Sequence, residues 1–195
     1  MRKVVLDIET IPCDKSLWER LGARIPSLEK VAWEDTALDW SFGRVVCIGL
    51  LFLEEANDRE LCLAGPDEAE LLRTFWAAIR PEDYLIGHNV LGFDLPFLQA
   101  RSVIHKVKPS RTLDLRRYST ATVYDTQQVW SNWGRKRFPK LDLLAAILEL
   151  EAKSGSGDQV REWFEAGDWE RIRQYCMQDV RLTCGVYRRM REYGL

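Results

Sequence analysis

Asp7 and Glu9 stand two residues apart at the end of an apolar run, Val4–Leu6, that holds no Gly or Pro and reads as a buried strand. Alternate residues of a strand share a face. The two carboxylates therefore lie side by side, with Ile8 turned into the opposite packing layer. Like charges at the tip of a buried strand repel and resist desolvation, and a hard divalent cation held between them would relieve both costs. Two solvated acids at a turn are the plainer alternative. A third acid, Asp94, follows the strand-like Tyr84–Gly87 and a turn containing Asn89 and Gly92, and it opens a helix. There it could serve simply as a favourable charge at the helix N-terminus. Near the C-terminus, Tyr175 and Asp179 are four apart in a helical stretch and share a face offset from the stripe Ile172, Cys176, Val180 and Thr183. The pair reads either as a surface contact or as a carboxylate with a phenol one turn behind it, able to hold a cation and a water.

These groups are carried by a chain of 195 residues, which predicts one domain with a substantial core. Apolar residues at 46% and charged residues at 30% are ordinary for a soluble globular protein, and a net charge of −2 announces neither a nucleic-acid nor a membrane partner. Five Cys without a C-x-x-C pair predict reduced core thiols in a cytoplasmic protein, not a disulfide framework. Two His with no spacing to Cys, His88 among them, argue against zinc. The apolar run Val45–Leu53 is too short to span a bilayer, and the N-terminus enters a strand directly, so neither a membrane span nor a signal peptide is expected. Ser154–Gly157 reads as a short flexible loop.

The elements follow in order. A short helix is predicted at Lys15–Leu21, then an irregular excursion over 22–42, then strands Arg44–Leu53 and Glu60–Ala64. Asp67 caps a helix over Glu68–Ile79. A strand at Tyr84–Gly87, a helix at Phe93–Val103, a short strand at Leu113–Leu115 and helices at Lys140–Leu150, Val160–Phe164 and Trp169–Tyr193 complete the chain. Three strands followed by alternating helix and strand imply an α/β fold: a mixed sheet with an antiparallel N-terminal meander and helices on both faces.

LDIET at the first strand, N-x-x-x-F-D at Asn89–Asp94 and Y-x-x-x-D at Tyr175–Asp179 resemble, in order and spacing, the three motifs of the DEDD 3′–5′ exonucleases. Gln174, where the sister variant has His five before the last Asp, marks the variant with Tyr. GHNVLGFDLPFL, KLDLLA at Lys140–Ala145 and YCMQDVRLT look like the bacterial stand-alone proteins related to the exonuclease domain of family B DNA polymerases. The resemblance covers nearly the whole chain and implies a single ribonuclease H-like exonuclease domain over residues 1–195, with no room for a polymerase domain.

What the resemblance implies is a metal-dependent 3′–5′ exonuclease. Asp7, Glu9, Asp94 and Asp179 would hold two Mg²⁺ or Mn²⁺ ions roughly 4 Å apart. Asp7 would bridge both ions, Glu9 and Asp179 would complete one site, and Asp94 would support the other, partly through water. Tyr175 would orient the attacking water, since a phenol ordinarily stays protonated at neutral pH and is a poor general base. The crowding of four acids should raise some of their pKa values and lower activity in acid. Thr10, Ile11, Asn89 and Phe93 fall where the family contacts the terminal nucleotide. Arg135 and Lys136 open a basic stretch running to Lys140, with Trp130 and Trp133 just before it, and Lys106–Arg117 is a second basic stretch; either could track phosphates or form a solvated rim. Asp114, Asp125 and Asp142 read as structural, with Asp125 or Asp142 able to support the site from behind. The substrate implied is single-stranded nucleic acid, DNA ahead of RNA. An exoribonuclease and a non-catalytic nucleic-acid-binding module are the alternatives, the latter disfavoured by the intact set Asp7, Glu9, Asp94, Tyr175 and Asp179.

Overall fold

The computed structural model describes residues 1–55, 57–150 and 159–195; the expected loop Ser154–Gly157 lies outside them. Strand β1, Lys3–Ile11, takes the middle of a five-stranded sheet. It pairs antiparallel with β2, Arg44–Leu53, which pairs antiparallel with β3, Arg59–Ala64. On its other side β1 pairs parallel with β4, Tyr84–Gly87, and β4 with β5, Val123–Asp125, so the sheet order is β3-β2-β1-β4-β5. β1 and β2 are buried on both faces for most of their length, which is why both read as continuous apolar runs.

One face is covered by α2, Glu68–Ala78, and α3, Asp94–Ile104, whose Leu72, Phe75, Leu95 and Leu98 meet Val4, Leu6 and Ile8 of β1. The other is covered chiefly by α7, Trp169–Glu192, with α5, Leu141–Ile147, and α6, Val160–Glu165, beside it. Helix α1 is Lys15–Gly22, and the excursion over 22–42 forms two short 3₁₀ turns, Pro26–Lys30 and Glu34–Leu38. Asp67 caps α2 as its side chain predicted, accepting from the Glu70 N–H at 3.0 Å.

The strand expected at Leu113–Leu115 is absent: these residues are coil, and Leu113 simply fills the core beneath α3. The fifth strand is Val123–Asp125, followed at once by α4, Thr126–Trp130. Buried Glu68 in the first turn of α2 binds Arg101 of α3 (2.8 Å) and His105 just past its end (2.7 Å) and accepts from the Val45 N–H of β2 (2.8 Å). This satisfied ionic cluster fixes α2, α3 and β2 to one another. All five cysteines are free thiols. No helix among the described residues is long and apolar enough to cross a membrane.

Candidate active site

The two-residue period of β1 divides its side chains as its sequence implies. Val4, Leu6 and Ile8 enter the core under α2 and α3, whereas Val5 packs with Met177 and Val180 of α7 and Ile11 with Tyr175. Asp7 and Glu9 lie between these last two, on the α7 face. One carboxylate oxygen of each and the Cys176 Sγ fall within 4.8 Å of one another. The pairing register shifts between Glu9 and Thr10, so that Val46 is skipped on β2. That irregularity puts Val46 and Cys47 both on the α7 side, walling the site, while Val45 and Ile48 stay in the opposite core.

Asp94 arrives from the far end of β4. Its Oδ1 accepts the Ile8 N–H at 3.0 Å, so the third acid is tied to the backbone between the first two. Asp94 is 4% exposed, and burial pushes its carboxyl up to about 7; the N–H groups of Asp94 and Ile8 pull it down, and the charges of Asp125 and Asp179 add to the rise. The turn before it is held by Asp125, the last residue of β5. One Asp125 oxygen accepts from the N–H groups of Asn89, Gln127 and Gln128, each at 3.0 Å, and the other from Leu91 at 2.9 Å. Asp125 therefore supports the site from behind. Its own carboxyl is raised by burial and drawn back by these backbone donors. His88 bridges the same region, with Nδ1 at 2.9 Å from Thr126 Oγ1 and Nε2 at 3.1 Å from the Pro139 carbonyl oxygen.

Helix α7 supplies the remaining groups. Tyr175 and Asp179 are both buried, so the face that looked like a possible surface pair is turned into the sheet. Tyr175 packs edge-on to Trp163 of α6 at 5.8 Å and against Val46. Gly49, paired with Asp7 on β2, lets the helix come this close: a Cβ there would lie 2.8 Å from Val180 Cγ2 and 2.9 Å from Cys176 Sγ. Cys176 is a site residue that the sequence does not reveal, because it sits on the apolar stripe of its helix. Its thiol donates to the Asp7 carbonyl oxygen (3.6 Å) and Oδ2 (3.8 Å). Hydrogen bonding with Cys47 and Cys62, together with burial, keeps that thiol protonated.

A cleft of about 500 Å³ opens at Glu9 and Thr10 and is lined also by Phe93, by Ala37 and Leu38, and by Arg161 of α6. The excursion over 22–42 thus forms a wall of the cleft, tied down where Thr10 Oγ1 donates to the Ala37 carbonyl oxygen at 2.7 Å. Thr10 and Phe93 line this cleft. Ile11, expected beside them, does not: it is 4% exposed and packs with Val46, Val160 and Tyr175, because it shares the inward face of β1 with Glu9. Asn89 occupies a left-handed turn position, φ 61°, and its backbone engages Asp125. Arg135 and Lys136 are exposed on the segment after α4, and Trp130 packs toward the α7 core, unlike Trp133. In the other basic stretch, Arg111 turns inward to the Asp83 carbonyl oxygen and Arg116 pairs with Asp114 at 2.7 Å. Arg161 and Leu38 were not legible as cleft residues, since one lies in a short helix and the other in irregular chain.

A family model described as a predicted 3′–5′ exonuclease related to the exonuclease domain of PolB matches residues 36–194. The matched span contains Asp94, Tyr175 and Asp179; Asp7 and Glu9 precede it and join the same site through the pairing of β1 with β2 and β4. No curated protein matches the chain.

Proposed function

This chain belongs to the family of predicted 3′–5′ exonucleases related to the exonuclease domain of PolB, and from that premise we propose that it shortens single-stranded DNA from the 3′ end, releasing 5′ mononucleotides with the help of Mg²⁺ or Mn²⁺. We take residues 1–195 as one ribonuclease H-like domain. The observation that carries the reading is the convergence of acids from separate elements: Asp94 bonds to the backbone between Asp7 and Glu9 at 3.0 Å and feels the charge of Asp179.

The donor set suits hard divalent cations. Carboxylate oxygens predominate, and Asp7 and Glu9 present theirs within 4.8 Å of one another. A cation would favour the ionised form of Asp94, whose carboxyl burial pushes up to about 7. Ions held by Asp7, Glu9, Asp94 and Asp179 would supply a water of lowered pKa and neutralise charge on the departing 3′ oxygen. In our reading Asp7, Glu9 and Asp179 would together hold one ion, and Asp7 with Asp94 would hold the other. Tyr175, whose ring packs against Trp163 and Val46, would orient the attacking water through its hydroxyl. The terminal nucleotide occupies the cleft lined by Thr10, Phe93 and Arg161, where the guanidinium meets phosphate. Asn89 holds the turn that presents Phe93, and Arg135 and Lys136 meet the strand farther back.

The test is a gel time course on matched 5′-labelled single-stranded DNA and RNA with Mg²⁺, Mn²⁺ or EDTA, beside Asp94→Ala. A metal-dependent ladder shrinking from the 3′ end of DNA, lost in the variant, is the expected result. Faster loss of the RNA would make the protein an exoribonuclease. Binding with no shortening under either metal would leave a binding module.

A further inference from the structure

Beyond the cleft, the segment after α4 and the loop before β5 bring three aromatics together, Tyr118 and Phe138 exposed and Trp133 half-buried. Tyr118 and Trp133 lie with ring centroids 5.4 Å apart. The Arg117 guanidinium sits 5.0 Å from the centre of the Tyr118 ring and donates through Nη2 to the Trp133 carbonyl oxygen at 2.6 Å. Tyr118 is 68% exposed and Phe138 43%. Gly134, φ 85°, lets Phe138 and Arg117 close on this turn: a Cβ there would come within 3.0 Å of Phe138 Cζ and 3.3 Å of Arg117 Nη2.

Packing does not account for this arrangement. A solvent-facing ring gains little by burial. The backbones of Tyr118 and Trp133 are moreover left-handed, φ 66° and 58°, a conformation that bulky side chains rarely adopt. Strain of this kind persists where the surroundings hold it and gathers at binding sites. The position supports the same conclusion. A depression of about 290 Å³ runs from Arg117, Trp133 and Phe138 to Leu91 and Gly92, in the turn that ends at Asp94. The two sides are joined through Asp125, which holds Leu91 and Gln128 by their N–H groups, while Trp133 donates to the Gln128 carbonyl oxygen at 2.7 Å. The surroundings are cationic: Arg135, Lys136, Arg137 and Lys140 are exposed, and among the described residues Arg117, Arg135, Lys136 and Arg137 form no ion pair with a carboxylate.

We propose that Tyr118, Trp133 and Phe138, edged by Arg117, form a stacking platform for an unpaired nucleobase upstream of the 3′ end in the cleft. This rests on the exonuclease reading above and specifies its substrate class. Stacking accepts the π-face of any base, so the platform is indifferent to sequence, whereas a paired base within a duplex has its faces covered. The platform therefore selects single strands over duplex ends, with the neighbouring cations following the phosphates.

The test uses Tyr118→Gly and Trp133→Gly, which remove a ring and suit the left-handed backbone, beside Tyr118→Phe and Trp133→Phe, which keep one. Anisotropy of a labelled oligothymidylate and of a blunt duplex, in EDTA, reads binding without turnover. Each Gly variant should lose about tenfold in affinity for the single strand, with Phe variants restoring most of it. Tyr118→Gly should do so at an unchanged or raised melting temperature, a combination that a structural role for the ring would not produce. Single-strand affinity within twofold of wild type in both Gly variants, or equal wild-type affinity for strand and duplex, would overturn the platform. Metal-dependent release of p-nitrophenol from thymidine 5′-(p-nitrophenyl phosphate) by the wild-type protein reports separately on the exonuclease reading. If that fails while the anisotropy result holds, the platform stands on a binding module.

Discussion

Asp94 is a residue through which pH should act on the fold. Burial lifts its carboxyl to about 7. An acid with a higher pKa folded than unfolded stabilises the fold in its protonated form; that contribution is complete below the unfolded value, about 4, and is lost as pH rises through the folded one. In EDTA, the melting temperature should therefore fall as pH climbs through about 7, and Asp94→Asn should flatten the fall. Thermal melts of the two proteins at a series of pH values check this, and parallel curves would reject it. Nuclease activity should move the opposite way over the same interval, because only the ionised carboxylate serves a cation. The pairing of Asp7 with Glu9 was legible, because a period of two leaves no choice of face once Ile8 is committed to the core. Cys176 was not, since a thiol on an apolar stripe looks the same whether its neighbour is a leucine or, as here, an aspartate.

At the scale of elements, the turn between β4 and α3 depends on a side chain outside it. Four backbone N–H groups converge on Asp125. Asp125→Ala strips them of their acceptor and removes the cap of α4, so it should cost about 3 kcal/mol in a urea titration. It should also lower nuclease activity although Asp125 is not among the proposed ligands, because the turn aiming Asp94 loosens. Stability within about 0.5 kcal/mol of wild type would refute that account. Strands β1 and β2 and helices α2, α3 and α7 were readable because each is long enough to show a run or a period. Strand β5 was not: three fully buried residues carry no alternation, and the Asp125 that ends the strand read only as a structural acid. Leu113–Leu115 has the better pattern yet serves the core as coil, because a neighbouring strand, not local propensity, decides which segment joins a sheet edge.

For the molecule as a whole, the clustered acids are first of all a folding problem. They come from β1, α3 and α7, so bringing these elements together also brings their charges together. Mg²⁺ or Mn²⁺ at about a hundred times its dissociation constant should raise the melting temperature by roughly 5 to 10 °C. Asp7→Asn should abolish that shift, and its persistence would place the cation elsewhere. Helix α7 has a further consequence. It roofs β1, β2, β3 and β4 and carries Tyr175 and Asp179 on the turns that do so. Its direction is therefore set by the core, and no drift in its sequence can re-aim those two groups without loosening the fold. The chain at 22–42 and the segment after α4 bear no such obligation. Over generations, a lineage built on this plan would keep α7 nearly frozen and acquire new substrates by rewriting its rims.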